Sequence, residues 1–193
     1  MKAILAKAKK IRSVDEFYKV LDTISKSMDT NLDREQILGF YNVFKKILLS
    51  AINKYITPGE VKELLYQSVP YVGFGRAHNF FGVVIKVFDK KGIEMPLENR
   101  SNTNAEDRYQ KGREIQDRYF GVEMIQAMND NAPEGQKHFY TFLEGYCFGD
   151  FYTRDGLNDQ QRELITFTFI ATLGGCENQL RGHTQGNLSV GND

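Results

Sequence analysis

Apolar residues recur at helical spacing along almost the whole chain, and this period is the strongest constraint on its fold. Residues 13–27 open on Ser13 and Glu16, a capping-box pattern, and repeat Phe17, Val20, Leu21 and Ile24. Residues 34–55 put Ile37, Phe40, Tyr41, Phe44, Leu48, Ala51, Ile52 and Tyr55 on one face. Thr57, Pro58 and Glu60 form a second helix start, with Thr57 as N-cap, Pro58 at the first helical position and Glu60 completing the box. That helix carries Val61, Leu64 and Leu65 and is expected to end before Pro70. The stripe Phe74, Ala77, Phe81, Val84, Ile85 and Phe88 predicts a helix over 74–91, stopped by Gly92. Residues 92–104 lack any apolar period and read as a linker. Helices resume at 105–119, 121–129 and 134–148, followed by a turn-like stretch from Gly149 to Gly156. Asn158 opens a helix over 159–173 with Leu164, Phe167, Thr168 and Ala171 facing inward. Gly174 and Gly175 break it, and a last helix runs from Cys176 to Val190, ending at Gly191. Strand signals are few: Phe80–Val87 is β-branched and aromatic, but its flanks read helical. The fold class is all-α.

Composition narrows the function classes. A chain of 193 residues accommodates one domain or two small repeats. At 41% hydrophobic it can bury a core without disulfides or metals. Lys+Arg and Asp+Glu both number 25, which argues against a dedicated nucleic-acid binder, whose affinity comes from neutralising phosphates. No apolar run approaches the roughly 20 residues of a membrane span. The basic start (Lys2, Lys7, Lys9, Lys10, Arg12) reads as a solvated helix face, and the apolar stretch 3–6 is too short for a signal-peptide core. Two cysteines, Cys147 and Cys176, imply no disulfide framework, so a reducing cytoplasm is the expected location. No His, Cys or carboxylate pair has closed zinc-site spacing, and no metal or other cofactor is expected. Gly73-Phe74-Gly75 lacks the preceding strand of a dinucleotide fingerprint.

The informative segment is 154–193. Arg162-Glu163-Leu164 is followed by Gly174-Gly175-Cys176, then Leu180-Arg181-Gly182-His183. Its arginine–glutamate–leucine entry, glycine turn and Leu-x-x-His helix resemble the carboxymuconolactone decarboxylase family, which includes alkyl hydroperoxidase D. Upstream, Thr57-Pro58-Gly59-Glu60-Val61 and Tyr71-Val72-Gly73-Phe74 resemble that family's distal helix pair. The resemblance implies a hydroperoxidase-D-like helical bundle of two related units. The first spans 1–98, with a degenerate site entered at Leu32-Asp33-Arg34-Glu35; the second spans 99–193, carries the Cys/His/Glu motif and looks incomplete at its end.

Cys176 follows two glycines at a helix start, where free N–H groups and the helix dipole favour a thiolate, so it should react faster than Cys147 in its aromatic setting. The bland alternative is a small buried residue. Gln179 stands where hydroperoxidase D carries a second cysteine, so redox turnover would need an external thiol or Cys147. His183 lies seven residues on, about 10 Å away along the axis, too far for direct contact. The resemblance makes Glu163 the bridge between thiol and imidazole, with Cys176, His183 and Glu163 as catalytic residues. A structural ion pair of Glu163 with Arg162 or Arg181 is the plainer alternative. Arg181, Arg162, Gln179 and His78 are the substrate-contact candidates, with His78 at best lining a pocket; His138 reads as solvated.

Three activities fit. The first is a thiol-dependent, peroxidase-like enzyme of peroxiredoxin type, using Cys176 with a Glu163–His183 proton relay. The second is a decarboxylase of a 4-carboxymuconolactone-type lactone acid, in which His183 and Glu163 move the proton and Arg181 or Arg162 holds the carboxylate. The third is a non-catalytic assembly subunit. The implied partners are a small-molecule peroxide or lactone acid, an external thiol reductant in the redox case, and a second copy in a homo-oligomer, with no nucleic acid or membrane.

Overall fold

The computed structural model describes residues 55–173 and 175–192, so the expected helix over 13–27, the entry at Leu32–Glu35 and all but Tyr55 of the expected helix over 34–55 lie outside the described residues. Among the described residues there are seven α-helices and no strand. They are α1 (Pro58–Val72), α2 (Phe74–Lys90), α3 (Arg108–Phe120), α4 (Val122–Asp130), α5 (Lys137–Phe142), α6 (Asp159–Leu173) and α7 (Glu177–Ser189). Between α5 and α6 the helix continues in π form over Leu143–Tyr152, here called the π segment. None of these helices is long and apolar enough to cross a membrane.

The described residues divide into two compact units, one of 55–65 with 75–97, the other of 66–74 with 98–192. In the first, α1 starts as its residues dictate. The Thr57 N–H donates to Glu60 Oε2 at 2.7 Å, and the Glu60 N–H donates to Thr57 Oγ1 at 3.2 Å. On α2, Ala77, Val84, Val87 and Phe88 are buried, whereas Phe74 and Ile85 of the expected stripe are exposed.

The second unit departs from the sequence expectations in three places. First, α1 runs through Pro70 to Val72 and stops at Gly73, whose φ of +83° ends the helix. A proline this near the C-terminus forfeits a single backbone bond, and the extra turn carries Tyr71 into a hydrogen bond described below. Second, the chain does not turn at Gly149; the π segment continues to Tyr152. Bonding from i to i+5 widens the turn to about 4.4 residues and brings residues five apart within roughly 50° of one another, where an α-helix would hold them about 140° apart. Cys147 and Tyr152 therefore share a buried face, with Phe148 beside them and Ile115 and Tyr119 of α3 against them.

Glycines let the π segment and α3 approach this closely. A Cβ on Gly112 would sit 1.9 Å from the Glu144 carbonyl oxygen and 2.7 Å from the Gly149 nitrogen, and one on Gly149 would sit 2.2 Å from the Arg108 carbonyl oxygen. The third departure is the phase of α6. Its inward face is not Leu164, Phe167, Thr168 and Ala171 but Arg162, Glu163, Ile165, Thr166 and Ile170. Leu164 and Ala171 are exposed. Apolar residues occupy both sides of α6, so its period fits either phase; the polar residues on one side find partners inside, which decides it.

Candidate functional site

Helix α6 begins with the reciprocal cap its sequence suggests: the Gln161 N–H donates to Asn158 Oδ1 at 2.8 Å, and the Asn158 N–H to Gln161 Oε1 at 2.9 Å. This fixes the start of a helix that turns Glu163, fully buried, toward α7. His183, 8% exposed, meets it. The imidazole Nδ1 lies 2.9 Å from Glu163 Oε2 and 3.2 Å from Oε1. Facing a carboxylate, Nδ1 carries the hydrogen, which leaves Nε2 as the nitrogen that can exchange a proton; Nε2 has no partner among the described residues. The rings of Phe120 and Tyr71 stand edge-on to the imidazole, with centroids 5.4 Å and 5.9 Å away. Gly186, one turn after His183, leaves room for the carboxylate: a Cβ there would be 2.4 Å from Glu163 Oε2.

Behind Glu163 lies a set of buried polar groups. The Tyr152 hydroxyl donates to Glu163 Oε1 at 3.1 Å and is 2.7 Å from both Thr166 Oγ1 and the Tyr71 hydroxyl. Tyr71 in turn is 3.6 Å from Cys147 Sγ. Gln67 Nε2 donates to Thr166 Oγ1 at 3.1 Å, and Arg162 Nη1 donates to Gln67 Oε1 at 2.8 Å. Asn187 Nδ2 donates to the backbone carbonyls of Glu163 and His183, tying α7 to α6.

Of the residues expected at the site, the structure brings together Glu163 and His183. Cys176 occupies the N-cap position of α7, half-buried, on the helix face that leads to His183, and makes no recorded hydrogen bond to either. Glu163 reaches Tyr152 and His183, and neither the bridge to the Cys176 thiol nor an ion pair with Arg162 or Arg181 is formed. Arg162, expected to hold a substrate carboxylate, is instead 1% exposed, with its guanidinium donating to Gln67 and to the Arg154 carbonyl. Gln179 and Arg181 are exposed on α7, Gln179 one turn before His183 and Arg181 about 200° round the helix from it. His78 is exposed on α2 in the other unit, and His138 is exposed, its ring against Phe139 and Phe142.

Sequence reasoning missed Tyr71, Tyr152, Thr166, Gln67 and the place of Cys147. One signal was present: Arg162, Glu163 and Thr166 lie within one turn of α6, more polar residues than a solvent-free face tolerates without partners.

A family model described as carboxymuconolactone decarboxylase family matches residues 137–193, the stretch holding Cys147, Tyr152, Glu163, Thr166 and His183. Over these residues the chain matches the carboxymuconolactone decarboxylase family. A member named 4-carboxymuconolactone decarboxylase, from Acinetobacter baylyi, is 27% identical over 88 residues, 46% of this chain and 65% of the relative. The chain thus matches somewhat less than two thirds of that relative's length. No solved structure matches it. Within the matched stretch the motif helix pair is α6 and α7, and the π segment completes the site from behind.

Burial disfavours the Cys147 thiolate and pushes the thiol from its ordinary 9.0 up to about 12, with the Tyr71 hydrogen bond opposing and the Glu163 charge adding. In the unfolded chain the thiol loses its proton near pH 9, whereas in the fold it holds it until about 12. The unfolded state therefore binds fewer protons in that window, and stability falls as pH rises through it. Burial raises Tyr71 and Tyr152 as well, steepening the fall above pH 10. The urea midpoint is expected to drop from pH 9 toward pH 12, and less steeply in Cys147→Ala; parallel curves for the two proteins would contradict this account.

Proposed function

We propose that this protein decarboxylates a small unsaturated lactone acid of the 4-carboxymuconolactone type, with His183 as proton donor and Glu163 as its partner. The observation that carries this reading is the Glu163–His183 contact, which orients the imidazole and leaves Nε2 open. In the reaction the bond between the ring carbon and the carboxylate carbon breaks and CO2 leaves. The electron pair enters the conjugated enolate of the lactone, and carbon takes the proton from His183 Nε2. Solvent then returns a proton to the imidazole. The Glu163 carboxylate stabilises the imidazolium beforehand, as a buried carboxylate does for a histidine acid. Of the two arginines considered for the substrate carboxylate, Arg162 is buried and Arg181 stands on the far side of α7 from His183, whereas Gln179 shares the helix face of His183. The name of the Acinetobacter relative supports the substrate class. Exposed leucines on α6 and α7, Leu164 and Leu188, support assembly with a second copy.

A second reading has one observation in its favour: Cys176 begins α7, half-buried, on the face leading to His183. As a thiolate it would attack a peroxide oxygen, giving a sulfenic acid and an alcohol, and an external thiol would reduce it, since Gln179 replaces a resolving cysteine. Two variants separate the readings. On the lactone acid, His183→Gln is expected to lower kcat by about 10²-fold or more, while Cys176→Ser stays within about threefold of the parent. Loss of peroxide turnover in Cys176→Ser, with no CO2 release from the lactone acid by the parent protein, would replace the first reading by the second.

A further inference from the structure

The hydrogen bonds behind Glu163 have a direction that follows from counting hydrogens. As a carboxylate, Glu163 only accepts. Tyr152 has one hydroxyl hydrogen, and it goes to Glu163 Oε1. Its oxygen must then accept from both remaining neighbours, Tyr71 and Thr166, each 2.7 Å away. The one hydrogen of Tyr71 is thereby committed, so toward Cys147, at 3.6 Å, it can only accept, and the sulfur must be a protonated thiol. Burial favours that form of Cys147. The hydrogen of Thr166 is committed likewise, and its oxygen accepts from Gln67, whose own carbonyl accepts from Arg162. Two donor chains therefore converge on Tyr152 and leave it through a single bond to Glu163. One runs Cys147 to Tyr71 to Tyr152, the other Arg162 to Gln67 to Thr166 to Tyr152.

We propose that Tyr152 is a positioning residue that sets how strongly Glu163 holds the Nδ1 hydrogen of His183, and that Tyr71 and Cys147 adjust this from one and two bonds further away. A donor on Oε1 draws charge away from the carboxylate, and donors feeding Tyr152 make it a stronger donor in turn. The groups facing the Glu163–His183 pair are Tyr152 and Cys147 from the π segment, Tyr71 from α1, Asn187 from α7 and the Phe120 ring from α3. The one cation among these chains, Arg162, is directed at Gln67 and Arg154. For turnover the proposal rests on the decarboxylase reading; for the hydrogen-bond chain it does not.

The test is proton–nitrogen NMR of the full chain, with the Nδ1–H signal of His183 assigned by its loss in His183→Gln. Tyr152→Phe removes the competing donor and is expected to move that signal downfield as Glu163 turns its full charge on His183. Tyr71→Phe is expected to move it the same way by less, and Cys147→Ala by less again. On the lactone acid, Tyr152→Phe is expected to lower kcat by about tenfold with KM within about twofold, because an imidazolium held more tightly by Glu163 gives up its Nε2 proton less readily. If Tyr152→Phe fails to fold by circular dichroism, the order of Tyr71→Phe above Cys147→Ala decides alone. An unmoved signal, or equal shifts in the folded variants, overturns the proposal. A parent protein inert toward the lactone acid overturns the decarboxylase reading, and the graded NMR series would still stand or fall separately.

Discussion

Gly112→Ala is expected to lower the unfolding free energy by about 3 kcal/mol, measured as a drop in the urea midpoint. The added Cβ would lie 1.9 Å from the Glu144 carbonyl oxygen and 2.7 Å from the Gly149 nitrogen. Both are backbone atoms, so no side chain can swing aside, and α3 must move off the π segment as a body. Gly82 is the control. It is helical, in α2, and a Cβ there meets nothing within 4 Å. Gly82→Ala should therefore stabilise by about 0.5–1 kcal/mol, the ordinary helix gain. Equal effects of the two substitutions would mean that the close crossing of α3 and the π segment does not govern stability.

Glu163→Gln is the second large effect, and it falls on activity. The amide keeps the shape and one acceptor for His183 Nδ1, but it cannot stabilise an imidazolium, and its NH2 group confronts the Tyr152 hydroxyl donor-to-donor. On the lactone acid kcat is expected to fall by about 10²–10³-fold, with a stability loss of only about 1–2 kcal/mol. A fall of less than about threefold would remove Glu163 from the chemistry and leave it as packing.

The all-α architecture was legible because the period and the caps agree: Thr57 with Glu60 and Asn158 with Gln161 sit where local chemistry puts them. Local signals failed where tertiary partners decide. Pro70 reads as a stop, yet α1 continues because one lost bond near a helix end costs less than Tyr71 gains inside. The inward face of α6 was misassigned because Leu164 and Phe167 on one side and Ile165 and Ile170 on the other present equivalent stripes. Glu163 and His183 were named through the family resemblance, and the structure brings their side chains together. The burial of Arg162 has no local signal: Gln67, one of its partners, lies 95 residues earlier in the chain. Tyr152 carries no motif, and Tyr71 was legible only as part of the distal helix motif; they meet only because helices distant in sequence converge.

The π segment makes residue count itself a functional quantity. Deleting one residue between Leu143 and Cys147 would let the backbone relax to α winding and stay helical, with its apolar content almost unchanged. Cys147 and Tyr152, still five apart, would then stand about 140° apart round the helix, and the hydroxyl that reaches Glu163 would rotate out of range. A chain shorter by one residue ahead of Cys147 would thus keep the fold and the Glu163–His183 pair while being cut off from everything that feeds it.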